Sequence, residues 1–572
     1  MISPRHHLTQ WLTQALPTLH LHHLPPTPIQ PCPHPAHGDY QTNLALTHAK
    51  TLSTTPTSLA HTLIQALPPH PLFETPQIAG PGFINFRLTP HGILHLLNTH
   101  HHDPRLGIPT TPHPRHIIID FSSPNVAKEM HIGHIRSTLL GDVLARILTF
   151  TGHRVTRINH LGDWGTQFGK ILLAYKRYGS PLALEQNPIP HLESLYQRIT
   201  QEEKTDPTTA QAARDELVRL QRGDPENLAL WKTFCQHTLR TLFPLYDRLD
   251  IHFHFILGES FYHPWLHDTV QDLLSLGIAR PSQGAIAIFF DDDPDLRHTP
   301  MLIQKTDEGY LYATTDLAAL RYRILTLHAD EILYVTDGRQ QRHFRQLFAV
   351  ARRWLPSHPV TLRHIWFGTI LGPDKKPLKT REGTPIKLRD LLDEAETRAL
   401  SLIRQKRPDL PPDQHTHIAR TIGISALKYA DLAQNRNLDY IFDWDRLLAL
   451  DGNTAPYLLN AYVRIASIFR KAHLTPQRTP IPTLQHPLEI ALAKKILAYA
   501  DALDDTLHDY RPHLLCTYLY ELATLFHQYY EHCPILKTEG DTRTTRLSLC
   551  AWTRDTLAHG LSLLGIPTLE EM

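Results

Sequence analysis

Two histidines three residues apart, His131 and His134, flank Gly133 where an apolar run gives way to a helical pattern. A strand, a loop and the first turn of a helix form an anion site, because the free backbone N–H groups and the helix dipole both favour phosphate. The bare glycine backbone lets a flat ligand such as a purine approach closely. Imidazole N–H groups can donate to phosphate oxygens as charge builds on them. The stretch therefore predicts a site for a nucleotide phosphate.

Chance and metal binding are the alternatives for this histidine pair. The chain has 41 histidines in 572 residues, so this spacing is expected about three times by chance. Its position at a strand–loop–helix junction is what makes it informative. There is no H-E-x-x-H motif and no third ligand nearby, so neither zinc nor another protein-bound metal is predicted.

The elements that must position the histidines form an alternating pattern. "IIID" at 117–120 is a short apolar run, as in a buried parallel strand, and apolar residues at helical spacing follow from Ile135 to Leu148. Strands alternating with helices predict a Rossmann-type, doubly wound parallel α/β sheet. The other strand-like stretches are "RVTRINHLGD" at 154–163, "AIAIFF" at 285–290, "EILYVTD" at 331–337 and "HIWFGTIL" at 364–371.

Composition shifts divide the chain into segments. Residues 1–112 predict an α+β domain that ends in a proline-rich connector. Residues 113–390 carry the parallel sheet, with a helical insertion at about 180–260. Residues 391–450 predict a helical connecting region, and 451–572 an all-helical domain that includes the apolar stripe from Leu515 to Tyr529.

Overall composition narrows the class of protein. The formal net charge is +1, so nucleic-acid binding would depend on local basic patches. None of the five cysteines falls in a C-x-x-C pair, and the usage fits reduced thiols. We find no secretory signal and no apolar run of the roughly 18–20 residues that span a bilayer. A cytoplasmic protein with no membrane partner is expected.

The segment "SPNVAKEMHIGH" at 123–134 resembles the HIGH signature of class I aminoacyl-tRNA synthetases, in the form found in arginyl-tRNA synthetases. The resemblance extends along the chain through "INHLGDWGTQFG", "LYATTDLAAL", "GRQQRHFRQLF", "DGNTAPYLLNAYVRI" and "LYELATLFHQYYEHCPIL". It implies an arginine–tRNA ligase that activates L-arginine with ATP, releases pyrophosphate and esterifies the terminal 2′-hydroxyl of tRNA(Arg). The alternatives are a class I synthetase for another amino acid and a non-catalytic RNA-binding paralogue.

A pocket for arginine needs carboxylates, since the guanidinium is a permanent cation with five donors. Tyr312 and Asp316 are four residues apart, so a helix would put them on one face. An acid within the apolar stretch around Asp316 requires a partner, although a helix cap or a surface acid is the plainer interpretation. By resemblance, the arginine-binding residues are Asp120, Asn125, Tyr312, Asp316 and Gln340.

The resemblance also implies the ATP-binding residues. Class I enzymes carry a second signature, KMSKS, but "GPDKKPLKTREGTPIKL" at 372–388 lacks it, and Lys128 occupies the place of a substitute lysine. We expect Mg²⁺ to accompany ATP. The catalytic residues implied are Lys128, His131, Gly133, His134 and Lys379, and the further ATP-binding residues are Ser123, Pro124, Asn125, His343 and Lys376.

The same family reading assigns RNA contacts to both ends of the chain. Residues 1–112 would contact the tRNA elbow through Asn43 and Asn85, with amides tied to turns as the alternative. Residues 451–572 would bind the anticodon through Tyr462, Arg464 and Tyr530, because unpaired bases stack on aromatic and Arg planes. Aromatics at helical spacing are more often core. No dimerisation seam is evident in the sequence, so a monomer is expected.

Overall fold

The computed structural model describes residues 2–17, 29–379 and 384–572. Two compact units emerge from the contacts: residues 111–448 form one, while residues 1–110 together with 449–572 form the other.

A five-stranded sheet forms the centre of unit 111–448, and all of its strand pairs are parallel. Its strands, in spatial order, are Thr361–His364, Glu331–Tyr334, His116–Asp120, Arg154–Asn159 and Phe255–Ile256. The middle strand is buried at every residue, as expected where helices cover both faces of a parallel sheet. The α/β class predicted from the sequence is therefore confirmed.

Two of the expected strands differ from the prediction. Ala285–Ile288 belongs to a separate three-stranded antiparallel sheet with Ala279–Ser282 and Met301–Gln304. Gln283 and Gly284 both have positive φ, 52° and 81°, which is the two-residue turn that closes a tight hairpin rather than a crossover.

The last predicted strand, 364–371, is interrupted. The sheet strand ends at His364, and Ile370–Leu371 instead pairs in parallel with Tyr440–Ile441. Gly368 lies between these pieces, and an added Cβ there would lie 2.7 Å from the Leu438 carbonyl oxygen. This close backbone approach takes the chain out of the main sheet.

Proline positions explain where the helices of the insertion begin. The helices Pro181–Gln186, Pro188–Thr205, Pro207–Gln221 and Pro225–Arg248 each have proline in the first turn, where the lost N–H has no intrahelical partner. The other helices of this unit are Ile132–Phe150, Thr166–Tyr178, Glu259–Tyr262, Leu266–Ser275, Tyr312–Leu325, Gln341–Trp354, Leu388–Lys406, Pro412–Leu432 and Trp444–Leu447, with 3-10 turns at His263–Trp265 and Gly338–Gln340.

The second unit combines a small sheet with a helical bundle. Its antiparallel strands, in spatial order, are Ile29–Pro31, Tyr40–Thr42, Phe83–Phe86 and Gln77–Ala79. Its helices are Pro4–Ala15, Leu44–His48, Pro56–Ala66, Pro90–Thr99, Ala455–Ala472, Pro487–Leu497, Tyr499–His508, His513–His532 and Gly540–Leu563. The apolar stripe expected from Leu515 to Tyr529 does lie on one helix, and its members are buried except for the half-buried Leu525.

Contacts between distant parts of the sequence hold this unit together. Asn98 and the backbone of Ile481 exchange two hydrogen bonds, of 2.9 and 2.7 Å. Lys494 Nζ lies 2.7 Å from the Asp39 carboxylate. Across the described ranges of the whole chain, no helix is both long and apolar enough to cross a bilayer.

Candidate active site

The predicted phosphate site is the amino end of helix Ile132–Phe150, here called the signature helix. His131 is its N-cap, and the His131 Nδ1 accepts from the Gly133 N–H at 3.1 Å. The His134 Nδ1 accepts in turn from the His131 N–H at 3.1 Å. This reciprocal arrangement is a capping box made of two imidazoles.

Both rings are neutral near pH 7. Burial, followed by the neighbouring His131, lowers the pKa of His134 to about 3. Burial and then the positive charge of Lys128 lower the pKa of His131. A neutral ring that accepts at Nδ1 must carry its proton on Nε2. The signature helix therefore presents two Nε2–H donors.

Both histidines line a cavity of about 520 Å³. The walls of the cavity are formed by the loop that joins the middle strand to the signature helix, by the signature helix itself, by helix Pro188–Thr205 and by the segment after residue 383. The lining residues are Asn125, Ala127, Lys128, Glu129, His131, His134, Glu193, Tyr196, Gln197, Thr384, Pro385 and Lys387.

Gly133 keeps His131 in place. The glycine is exposed, and an added Cβ would lie 2.9 Å from Cε1 and 3.0 Å from Nδ1 of the His131 ring. A larger residue would therefore push this ring out of its cap position. Close approach of a purine was the role predicted for Gly133 from the sequence. The structure indicates a second reason for glycine at this position, which is room for the His131 ring.

The loop between the middle strand and the signature helix has an unusual backbone. Ser122, Ser123 and Ala127 have φ values of 75°, 49° and 61°, in the left-handed region. The Ser123 N–H donates to Asn159 Oδ1 at 3.0 Å, which helps to hold that conformation. Non-glycine residues persist in this region only where surrounding contacts enforce it, as at binding sites. In the same loop Pro124 is buried and Asn125 is exposed.

A second group of side chains lies at the carboxyl edge of the sheet. Asp316 Oδ2 is 2.6 Å from His343 Nε2, and its Oδ1 is 4.0 Å from His160 Nε2. Burial would raise the pKa of Asp316, but the hydrogen bond with His343 and the charges nearby hold that pKa below its usual value. Tyr312 begins the same helix, and its ring centroid is 5.1 Å from that of His343. His343, expected near the nucleotide, thus contacts two of the predicted arginine-binding residues.

Asp120 already has a cationic partner. Its Oδ2 lies 2.7 Å from a guanidinium nitrogen of Arg323, and the side chains are 9% and 1% exposed. Ser123 Oγ donates to the other carboxylate oxygen at 3.1 Å. The carboxylate therefore reaches the site with its charge balanced from within the chain. Its role as an arginine ligand stays a prediction.

Glu259 is a candidate that the sequence reading missed. Burial, followed by the charges of Asp316 and Asp163, raises the pKa of Glu259 to about 7. Its Oε2 accepts from the Trp164 N–H at 3.3 Å. The available signal was its position just after strand Phe255–Ile256, because ligands of α/β proteins bind at the carboxyl ends of parallel strands.

The segment 372–388, here called the lysine loop, is described except at residues 380–383. Gln340, in a 3-10 turn, and Lys376 and Lys379 are all exposed. Both lysines lie outside the lining of the 520 Å³ cavity. Residues 380–383, which include Arg381, are not among the described residues.

Lys387 lines the cavity instead. It forms an ion pair with Glu129 and an antiparallel bridge with His131. The adjacent backbone joins the signature helix, since the Ile132 N–H donates to the Ile386 carbonyl at 2.9 Å. The backbone before Lys387 is thus bound to the predicted phosphate site.

The predicted RNA-contact residues lie in the other unit, and their exposure differs. Asn43 is exposed at a helix start, whereas Asn85 is 5% exposed within a strand. Tyr462 is 3% exposed, and its hydroxyl donates to Glu570 at 3.2 Å. The Arg464 guanidinium lies 5.2 Å from the Tyr530 ring centroid, and Tyr530 is 38% exposed. Arg464 and Tyr530 are thus the better placed pair for base stacking.

The described ranges contain no group of three or more His, Cys, Asp or Glu side chains that could hold a metal ion.

Family models match three consecutive parts of the chain. An arginyl-tRNA synthetase N-terminal domain matches 6–88, the catalytic domain of class I tRNA synthetases (R) matches 96–444, and a DALR anticodon-binding domain matches 458–572.

Individual relatives agree along the full length. An arginine–tRNA ligase from a Synechococcus species is 46% identical over 557 residues, which cover 95% of each chain. The crystal structure of arginyl-tRNA synthetase from Plasmodium falciparum superimposes with a TM-score of 0.85 at 28% identity, covering 99% of each chain. The Thermus thermophilus arginyl-tRNA synthetase, at 24% identity and a TM-score of 0.85 over both whole chains, shares the fold. The chain therefore belongs to the arginyl-tRNA synthetase family of class I aminoacyl-tRNA synthetases.

Proposed function

We propose that this chain is an arginine–tRNA ligase that uses ATP to activate L-arginine and then transfers it to tRNA(Arg). The observation that carries the proposal is the pair of neutral imidazoles that cap a helix amino end with their Nδ1 atoms and line a 520 Å³ cavity there. In the first step an arginine carboxylate oxygen attacks the α-phosphorus, and the bond to the pyrophosphate leaving group breaks. In the second step a terminal 2′-hydroxyl of the tRNA attacks the activated carbonyl and AMP leaves.

The two imidazoles would donate to the phosphate oxygens as their charge grows. Because burial lowers both pKa values, the rings stay neutral, and each can accept from the backbone at Nδ1 while it donates from Nε2. Lys128 supplies a positive charge in the same cavity. Mg²⁺ would arrive with ATP and offset the charge of the phosphates.

The arginine side chain would bind near Asp316. The hydrogen bond with His343 and the charges nearby hold the pKa of Asp316 below its usual value, and Glu259 lies close enough for the charge of Asp316 to raise the pKa of Glu259. Two carboxylates with different pKa values suit a guanidinium, which can bridge both in a bidentate manner. Tyr312, Gln340 and Asn125 would complete the contacts to the amino acid.

RNA binding would use the unit formed by residues 1–110 and 449–572. Arg464 and Tyr530 offer a guanidinium and an exposed ring to an unpaired base. Asn43 offers an exposed amide to the RNA elbow. A monomeric state and a cytoplasmic location stay predictions.

Arginine-dependent exchange of pyrophosphate into ATP, measured with and without tRNA(Arg), tests the proposal. We expect exchange with arginine, stimulated by the tRNA, and none with other amino acids. Exchange with a different amino acid would identify another synthetase. The absence of exchange with all amino acids, while tRNA still binds, would identify an RNA-binding paralogue.

A further inference from the structure

The helical insertion contributes directly to the phosphate cavity. Helices Pro188–Thr205 and Pro225–Arg248, here called the insertion helices, contact residues 127–129 of the loop that precedes His131. Lys128 is the middle residue of the three. Its backbone and its side chain are held by separate contacts.

The backbone on both sides of Lys128 is bound to the insertion helices. The Ala127 N–H donates to Oγ1 of the fully buried Thr238 at 3.0 Å. The Glu129 N–H donates to Glu193 Oε1 at 2.9 Å. Each bond comes from a different insertion helix. The left-handed backbone at Ala127 is thereby enforced from outside the loop.

The side chain of Lys128 lies on an aromatic ring. Its Nζ is 4.9 Å from the ring centroid of Tyr196, one helical turn after Glu193. This is within the distance at which a ring attracts an ammonium ion. Among the ion pairs of the described ranges, none involves Lys128, whereas Lys387 across the cavity is paired with Glu129.

A ring holds a lysine differently from a carboxylate. A carboxylate would neutralise the ammonium and would have to be displaced by an incoming phosphate. The ring restricts where the ammonium lies and leaves its positive charge available. Lys170 provides the contrast: its Nζ is 5.8 Å from the same ring but pairs with Glu203 at 2.5 Å.

We infer that Tyr196, supported by Glu193, is a positioning residue that holds Lys128 towards the triphosphate of ATP. Two lysines among the described residues line the cavity, and Lys387 is paired with Glu129. The helical insertion thus sets the position of the other, Lys128, which forms no ion pair there. The inference depends on the proposed function, because it assumes that Lys128 meets ATP.

Substitutions at Tyr196 test this role by pyrophosphate exchange with tRNA(Arg) present. Tyr196→Leu removes the ring, and we expect kcat/KM for ATP to fall about three- to tenfold while the KM for arginine is unchanged. Tyr196→Phe keeps the ring and should keep most of the activity. In a Lys128→Met background, Tyr196→Leu should cause no further loss, because the residue that it positions is gone.

A second pair of variants covers the case in which Tyr196→Leu does not fold. Glu193→Gln retains an acceptor for the Glu129 N–H, whereas Glu193→Ala does not. We expect only the alanine variant to lower kcat/KM for ATP.

Thermal melting shows which variants are folded. The inference is overturned if ring removal leaves kcat/KM for ATP unchanged, or if the loss persists at full size in the Lys128→Met background. Wild-type protein without arginine-dependent exchange would instead overturn the proposed function.

Discussion

At the scale of single residues, each imidazole of the signature uses its two nitrogens for different purposes. Nδ1 of His134 accepts from the His131 backbone and stabilises the helix start, whereas Nε2 is the atom that we propose donates to phosphate. The amide of asparagine occupies the place of Nδ1, and that of glutamine reaches the place of Nε2. The two substitutions therefore separate capping from donation.

We expect His134→Asn to melt near the wild-type temperature but to lose most pyrophosphate exchange, because the cap acceptor stays and the phosphate donor is lost. His134→Gln should retain more exchange but lose about 1 kcal/mol of stability, the usual value of a cap. Binding of tRNA should be unchanged in both variants. Equal effects of the two variants on melting and on exchange would contradict the division of roles.

Glu259 predicts a pH dependence of arginine binding. Its pKa is about 7 because burial and the charges of Asp316 and Asp163 favour the protonated form. A guanidinium favours the ionised form, so arginine should bind more tightly as Glu259 loses its proton.

We expect the KM for arginine to fall as the pH rises from about 6 to about 8, through the pKa of Glu259. Glu259→Gln should remove this dependence and raise the KM at the upper end by about ten- to a hundredfold. The pH profile of the KM for ATP serves as the internal control. A Glu259→Gln variant with the wild-type arginine profile would exclude Glu259 from the pocket.

At the scale of elements, a buried ion pair fastens the signature helix. Arg136 lies 3.0 Å from Asp431 of helix Pro412–Leu432, and both side chains are 1% exposed. A second guanidinium nitrogen of Arg136 donates to the Gly368 carbonyl at 2.7 Å, just before strand Ile370–Leu371. The start of the lysine loop is thus bound to the helix that carries the histidines.

Arg136→Met should lower the free energy of unfolding by about 3–5 kcal/mol, because Asp431 is left as an uncompensated buried acid. Adding Asp431→Asn should restore part of the loss, since the amide carries no charge. Chemical denaturation of both variants measures this difference. A double variant no more stable than Arg136→Met would show that the carbonyl contacts of Arg136, rather than the ion pair, account for the loss.

At the scale of the whole molecule, residues 1–110 and 449–572 fold as one unit. Asn98 contributes two hydrogen bonds to the backbone of Ile481. Removing both should expose the segment around Ile481 to solvent and cost about 1–3 kcal/mol.

We expect Asn98→Ala to speed amide hydrogen exchange around Ile481. Asn43→Ala, which removes an exposed amide without a capping bond, is the matched control and should leave exchange there unchanged. Unaltered protection around Ile481 in Asn98→Ala would show that the rest of the unit suffices to hold this segment.

Features that depend on near neighbours in the chain could be predicted from the amino-acid sequence. Apolar runs and helical spacing predicted a strand at 117–120, which the structure has at His116–Asp120, as well as the signature helix and helix His513–His532. Local pattern suffices there because burial of one face dictates the residue type every two or every three to four positions. The motifs around His131 and His134 indicated the family on the same local basis.

Contacts between groups far apart in the sequence became known from the folded structure. It paired Asp120 with Arg323, brought His343 to Asp316, added Glu259 beside them and placed Ala285–Ile288 in its own hairpin sheet. These contacts join residues far apart in sequence, and a charge or an apolar run carries no signal that specifies its partner. These partners are determined by packing, because a charge that packing buries needs a partner of opposite charge or a hydrogen bond.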